Sequence, residues 1–214
     1  MSLYQKKKIV FIIVGFGRGG AESMLYKILQ NINRDFFSPY VISLTNKYGY
    51  GDNIKLLNIP IYTLGMGTGF LSLFRFFKLF NILFKIQPTI VHTWMYHADL
   101  LGGIASRIVG VPFIIWCIRH SDFSRSTTKL STYFIMKICA HLSHTIPNKI
   151  LCCSNRACTI HKISGYDGTK MSVIPNGFDL DHFTPSLRAR KQIRKQLNID
   201  ADSPLVGHIA RFHP

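Results

Sequence analysis

The sequence predicts a doubly wound α/β architecture built on a parallel sheet, on three observations. Short β-branched runs alternate with longer segments of helical period along the chain. Apolar residues make up 47% of the 214 residues and charged ones 17%, which suits a sizeable buried core. The first apolar run leads through a glycine cluster, Gly15-Phe16-Gly17-Arg18-Gly19-Gly20, directly into a helical pattern. Strands and helices alternating in this way imply parallel pairing through right-handed crossovers.

Taken in order, KKIVFIIV (7–14) reads as the first buried strand. Residues 21–32 follow as an amphipathic helix, with apolar positions at 24, 25, 28, 29 and 32. YVISL (40–44) and IYTL (61–64) are strands, the second introduced by Pro60. A helix over 70–86 precedes the strand TIVHTW (89–94), and a helix over 97–109 precedes PFIIWCI (112–118). A further helix lies within 126–143, then KILCCS (149–154) as strand, a helix over 155–163, and MSVIP (171–175). Beyond Phe183 the composition changes. LRARKQIRK (187–195) carries five basic residues and no acid, and it reads as a basic linker. LVGHIARF (205–212) reads as one new strand, which cannot bury both faces alone, so a truncated second domain is expected.

The net charge of +16, with a pI near 9.9, asks for an anionic partner such as phosphate, a membrane surface or nucleic acid. Nine of the ten acids are Asp, and Glu22 is the one Glu, so paired glutamates are excluded as acid/base machinery. Five cysteines (117, 139, 152, 153 and 158) are an odd number and several lie in apolar runs, which suits reduced thiols in a cytosolic protein. Lys6 to Lys8 followed by Ile9 to Val14 has the outline of a signal peptide, but the run is short and ends in glycines. No stretch reaches the roughly 18 uncharged apolar residues that a spanning helix needs.

The glycine cluster formally satisfies GxGxxG through Gly15, Gly17 and Gly20. Glycines let a ligand approach the backbone, and the helix that follows offers free N–H groups and a positive dipole end to phosphate. A nicotinamide-dinucleotide site would also need an acid about 20 residues on. Leu44-Thr45-Asn46-Lys47 supplies none. His92 and His97 flank Trp94 at the end of another strand and are candidates either to line a binding site or to fill the core. Cys152, Cys153, Cys158 and His161 do not have finger or ribbon spacing, so no metal is expected. No GxSxG elbow marks a serine nucleophile.

GFGRGGAE, VHTWMYHADLLGGIAS, IRHSD, CSNRA, VIPNGFDLDHF and VGHIARFHP, in that order, resemble the group 1 glycosyltransferases, a retaining GT-B class that uses nucleotide-diphosphate sugars. The resemblance implies a Rossmann-like N-terminal, acceptor-side domain over 1–184. It implies a basic interdomain linker over 185–203 and the first strand of a donor-binding domain over 204–214. It places the backbone of Gly19 and Gly20 against the donor's diphosphate or sugar, and Arg211 as the arginine that clamps the diphosphate. A guanidinium suits that role because it binds phosphate in bidentate fashion. His120, at the end of the PFIIWCI strand, falls where the family carries a cleft histidine near the transferring sugar, and is the candidate catalytic residue. His92, Trp94, His97, Arg119, Asn176 and Gly177 are the candidates for lining the cleft or acceptor site. No cofactor is implied beyond the nucleotide-sugar substrate, and no metal. The implied reaction is sugar transfer to a glycan or lipid-linked acceptor in polysaccharide biosynthesis such as capsule or lipopolysaccharide, with a fragment of this extent inactive alone.

Helix 70–86 is rich in phenylalanine (70, 74, 76, 77, 80 and 84), with Arg75, Lys78, Asn81 and Lys85 recurring every three or four positions. One reading is a crossover helix with a solvated basic edge. The other is an in-plane helix that meets an anionic membrane surface, which would place a cytoplasmic protein at the inner face of the cell membrane. Two rival functions remain. A basic nucleic-acid- or membrane-binding module without catalysis lacks any recognition-module signature, so no specific nucleic acid is expected. An NAD-type dinucleotide-binding enzyme is disfavoured by the missing acid.

Overall fold

The computed structural model describes residues 5–45, 49–67, 71–121 and 129–208. Seven strands are described: β1 (Lys7–Ile13), β2 (Phe37–Ser43), β3 (Ile61–Thr63), β4 (Ile90–Trp94), β5 (Phe113–Ile118), β6 (Lys149–Cys152) and β7 (Met171–Val173). They form one sheet in the order β3-β2-β1-β4-β5-β6-β7. Every pairing is parallel. The expected fold class therefore stands. Its helices are α1 (Gly20–Asn31), α2 (Tyr50–Lys55), α3 (Leu71–Ile86), α4 (Tyr96–Val109), α5 (Leu130–Leu142), α6 (Asn155–Ile163) and α7 (Leu187–Gln196).

Strand β1 is buried on both faces, as central strands of parallel sheets are. Ile9, Phe11 and Ile13 pack with Leu25 and Leu29 of α1 and Ile54 of α2. Val10 and Ile12 point the other way, into a core built with Leu79 and Leu83 of α3, Ala105 of α4, Met136 of α5 and Ala157 of α6. The chain winds outward from β1 through β2 and β3, then α3 carries it back to β4 on the other side of β1. The strand order reverses between β1 and β4, and open parallel sheets bind ligands in the crevice beyond the C-terminal ends of the strands at such a point.

Several boundaries differ from expectation for identifiable reasons. Strand β2 begins at Phe37, not at 40, and includes Pro39. The proline is tolerated because β3 pairs with β2 only from Val41 onward, so its missing N–H leaves no ladder bond unmade on that side. Helix α2 was not expected, since six residues are too few to display a helical period. Helix α4 ends on Gly110 in the left-handed conformation (φ 80°).

Residues 1–176 and 177–214 form two compact units. In the second, the stretch expected to be a basic linker carries helix α7. Ser186 caps it by accepting from the Ala189 amide at 3.1 Å, and its Arg, Lys, Gln and Ala residues are strong helix formers. Arg194 is buried and its guanidinium donates to the carbonyls of Asp200 and, at 2.8 Å, Ser203. Residues 205–208, the described part of the expected strand 205–212, have no strand pairing. Its remainder lies outside the described residues.

Helix α3 turns Leu79, Leu83 and Ile86 into the core and keeps Arg75, Phe76 and Phe80 half-buried. Its outer face is not the purely polar edge of the first reading. Phe74, Phe77 and Phe84 are exposed beside Lys78, Asn81 and Lys85. Phe70 lies outside the described residues. Among the described residues, no helix is long and apolar enough to cross a membrane.

Candidate functional site

The crevice is built first by the loop between β1 and α1. Phe16 is buried, and its carbonyl accepts from the Tyr50 amide at 3.0 Å, so the loop is braced by the start of α2. That brace requires glycine at 49. Its φ is 149°, and a Cβ there would lie 2.1 Å from the Phe16 carbonyl oxygen. Gly19 is the N-cap of α1 and makes no side-chain cap. The Glu22 carboxylate, in the first turn, folds back over it, and a Cβ on Gly19 would come within 2.3 Å of Glu22 Oε2. An acid in the first turn complements the helix dipole. Gly20 is different: no protein atom lies within 4 Å of where its Cβ would be, and it is exposed. Packing explains the glycine at 49; at 19 the neighbour is only the movable end of the Glu22 side chain, and at 20 there is none.

On the other side of the crevice, β4 and β5 deliver the aromatic and histidine candidates, and the structure separates them. His92 is buried between the rings of Phe11 (5.5 Å) and Trp94 (5.4 Å), on the face covered by α1. Burial, with a further push from the Arg119 guanidinium, lowers its pKa to about 3, so it is a neutral core residue. Trp94 is fully buried beneath Arg119, whose guanidinium carbon sits 4.5 Å over the ring. Neither His92 nor Trp94 presents a surface to a ligand. His97 is half-buried, and burial lowers its pKa.

His120 alone among these is exposed, two residues past the end of β5. Its imidazole stacks on the ring of Tyr96, with centroids 6.2 Å apart and planes at 21°. Asn176 and Gly177 are both exposed, and no protein atom lies within 4 Å of a Cβ placed on Gly177. Arg211 lies outside the described residues. Cys152, Cys153, Cys158 and His161 are not gathered as ligands, and no group of three or more potential metal-binding side chains is found among the described residues. His161 is instead committed to Tyr96 and to the carbonyl of Ala157.

Three residues that matter here escaped the sequence reading: Tyr96, Asp99 and, in its actual role, His161. The available signal was position, since Tyr96 and Asp99 fall just beyond the C-terminal end of a parallel strand. Asp99 is fully buried on α4. One carboxyl oxygen accepts from the Thr93 hydroxyl at 2.5 Å, and Oδ2 has no hydrogen-bond partner among the described residues. Burial drives its pKa well above the carboxylate range, against the smaller opposing pull of the Thr93 hydroxyl.

These groups set opposed pH dependences. His161, held near 4, and His92, near 3, stay neutral in the native state while the unfolded chain takes up protons below about 6.5. Their contribution is therefore complete above pH ~6.5 and is lost as the pH falls. Asp99 acts with the opposite sign, because the native state retains a proton that an unfolded aspartate has released above about 3.8. Its contribution is complete in acid and fades as the pH rises. Asp99→Asn is accordingly expected to gain stability relative to the parent as the pH is raised above about 4. Urea unfolding of both proteins at pH 5, 6 and 7 measures that gain, and a pH-independent difference would contradict it.

The model for "Glycosyltransferase Family 4" matches residues 18–182 of the chain. An Escherichia coli protein, UDP-Gal:alpha-D-GlcNAc-diphosphoundecaprenol alpha-1,3-galactosyltransferase, is 30% identical over 138 residues, covering 64% of this chain and 35% of that protein. The putative glycosyltransferase EpsF of Bacillus subtilis (strain 168) is 23% identical over 97% of this chain and 55% of its own length. Among solved structures, Anabaena Alr3699/HepE in complex with UDP aligns with a TM-score of 0.72 at 20% identity, over 89% of this chain and 50% of its own. The chain thus spans from about a third to about half the length of these proteins.

Proposed function

The chain belongs to Glycosyltransferase Family 4, and from that premise we propose that it forms the acceptor-side half of a retaining glycosyltransferase. The enzyme moves a hexosyl or N-acetylhexosaminyl group from a nucleotide-diphosphate sugar to a glycan or lipid-linked acceptor in polysaccharide biosynthesis. One observation carries the reading. A ligand-accessible glycine at the N-terminus of α1 and an exposed histidine beyond β5 sit at the same edge of the sheet, where the strand order reverses. The UDP and UDP-glucose complexes of the Anabaena protein support a uridine-diphosphate sugar as the first donor to try. The E. coli relative's acceptor supports a lipid diphosphate saccharide.

In this reading residues 1–184 bind the acceptor. Residues 185–203 lead to a donor-binding half that opens with 204–214 and brings Arg211 to the diphosphate. The N–H groups at Gly19 and Gly20 meet the charge that develops on the leaving diphosphate, and catalysis is chiefly charge stabilisation and positioning. His120 contacts the transferring sugar. Lining of the acceptor site falls to His97, Arg119, Asn176 and Gly177, the candidates that keep accessible surface. The nucleotide sugar is the donor substrate, and nothing in the proposal needs a metal. The test is release of nucleoside diphosphate from a panel of sugar nucleotides by the protein with its donor-binding half present, together with acceptor extracts. Release from one donor, dependent on acceptor, is expected; a well-folded protein that releases none would refute the reading.

The exposed face of α3 extends the proposal to a cytoplasmic enzyme held peripherally at the inner face of the membrane. Phe77 and Phe84 offer apolar rings, and Lys78 and Lys85 offer charge to anionic headgroups. Phe77→Glu plus Phe84→Glu is expected to abolish co-sedimentation with phosphatidylglycerol vesicles and to leave the unfolding midpoint nearly unchanged. Undiminished sedimentation of the folded variant would exclude this face.

A further inference from the structure

A histidine that acts on a bound sugar must hold one orientation, and polar partners usually provide it. Among the described residues no hydrogen bond fixes the His120 imidazole; its ring packs against Tyr96. Tyr96 is 3% exposed and opens α4, directly after Met95, whose φ of 73° makes the sharp turn out of β4. The Met95 amide donates to the Cys117 carbonyl at 3.2 Å, which ties this turn to β5, the strand that carries His120.

The hydroxyl end of Tyr96 is anchored in a third element. Tyr96 Oη lies 2.8 Å from His161 Nε2, and His161 Nδ1 lies 2.6 Å from the Ala157 carbonyl one turn earlier in α6. A carbonyl only accepts, so Nδ1 carries the imidazole proton. Nε2 is then the acceptor and the Tyr96 hydroxyl the donor. Burial keeps His161 neutral down to about pH 4, which maintains this tautomer across the physiological range. The edge of Tyr166 closes the far side, 5.1 Å from the His161 ring at 76°. A continuous line of touching groups therefore runs from the Ala157 carbonyl through His161 and Tyr96 to the face of His120.

We propose that Tyr96, anchored by His161, is a positioning residue that orients His120 for sugar transfer. This rests on the reading of His120 given above. Tyr96 does not touch the sugar; its ring is the plate against which the imidazole is held, and His161 fixes the tilt of that plate. Aromatic stacking of this kind is directional and so can replace the missing hydrogen bond.

The test is a double-mutant cycle in the protein with its donor-binding half present, paired with NMR of the His120 ring. Tyr96→Leu is expected to lower kcat by roughly 10- to 100-fold with the donor KM within about twofold. In the His120→Ala background the same change should cost nothing further, because its effect passes through His120. Ring relaxation should show the His120 imidazole released in Tyr96→Leu. Tyr96→Phe retains the ring and loses the anchor, so it should lower kcat less and loosen His120 partly; it serves if Tyr96→Leu does not fold. Additive losses, or an unchanged His120 ring in either folded variant, would overturn the proposal. If His120→Ala lowers kcat and the Tyr96 variants do not, the positioning role fails and the reading of His120 stands. If His120→Ala leaves kcat intact, the reading itself fails and takes the positioning role with it.

Discussion

Replacing His120 with alanine is expected to lower sugar transfer by about 10²-fold or more, the scale set by losing a group that contacts and positions the transferring sugar. The fold should hardly notice. His120 is exposed and makes no hydrogen bond among the described residues, so its removal leaves no buried polar partner orphaned. Its stacking on Tyr96 disappears with the ring, at a cost of roughly 0.5–1 kcal/mol. His92→Ala should behave in the opposite way. It removes a ring packed between Phe11 and Trp94 and leaves a cavity costing about 2–4 kcal/mol, with any loss of activity following loss of fold. Acceptor-dependent release of nucleoside diphosphate, measured beside urea unfolding of both variants, separates the two. Activity of His120→Ala within threefold of the parent would remove the residue from the reaction.

The largest expected loss of stability follows from Gly103→Val. Helix α4 meets the sheet through Gly102 and Gly103 with no room for a side chain. A Cβ on Gly103 would lie 2.8 Å from Trp116 Nε1 and 2.9 Å from Ile146 Cγ2. One on Gly102 would lie 2.9 Å from Ile12 Cδ1 and from Thr93 Cγ2. Trp116 and Ile12 are fully buried, so neither can swing aside. Alanine at either site would gain about 1 kcal/mol of helix propensity and lose more to overpacking, typically 1–3 kcal/mol. Valine adds two further methyl groups against the same wall. We expect a loss of at least about 3 kcal/mol, or roughly 6–12 °C in Tm for a chain of this size. Gly20→Ala is the internal comparison, since no protein atom stands near its Cβ. Thermal unfolding should leave Gly20→Ala close to the parent. A Gly103→Val protein that melted with the parent would show that α4 can lift off the sheet without cost.

The alternation of apolar runs and helical patterns is a local property, and it sufficed for the parallel sheet, for β1 as its buried centre and for the glycine loop ahead of α1. Other features were not legible locally. The basic stretch 187–195, read as a linker, folds as a helix, because Arg, Lys and Gln favour helix and Ser186 supplies the cap that starts α7. The two adjacent glycines of DLLGGIAS carry no local signal of packing, because what forbids a side chain there belongs to β1, β4, β5 and the stretch after α5. His161 stands near three cysteines at a spacing that suggested no metal site, but only the fold shows that its ring is spent on a tyrosine 65 positions away.

The histidines show most sharply where sequence stops. By itself the sequence determined the fold class, the crevice edge and the kinds of residue delivered to it, because periodicity and turn chemistry act between neighbours. The family resemblance singled out His120, and the residues alone left His92 open between lining a site and filling the core. The tertiary structure places the two rings differently. Parallel pairing sets Phe11 opposite His92, and strand alternation puts His92 and Trp94 on the same face, the one packed with α1, so the imidazole is buried and neutral. His120 lies beyond the last pairing of β5, where no strand among the described residues covers it and Tyr96 of α4 meets its ring. Burial of a side chain is fixed by strand order and register, which bring together residues tens of positions apart, and no local pattern contains that information.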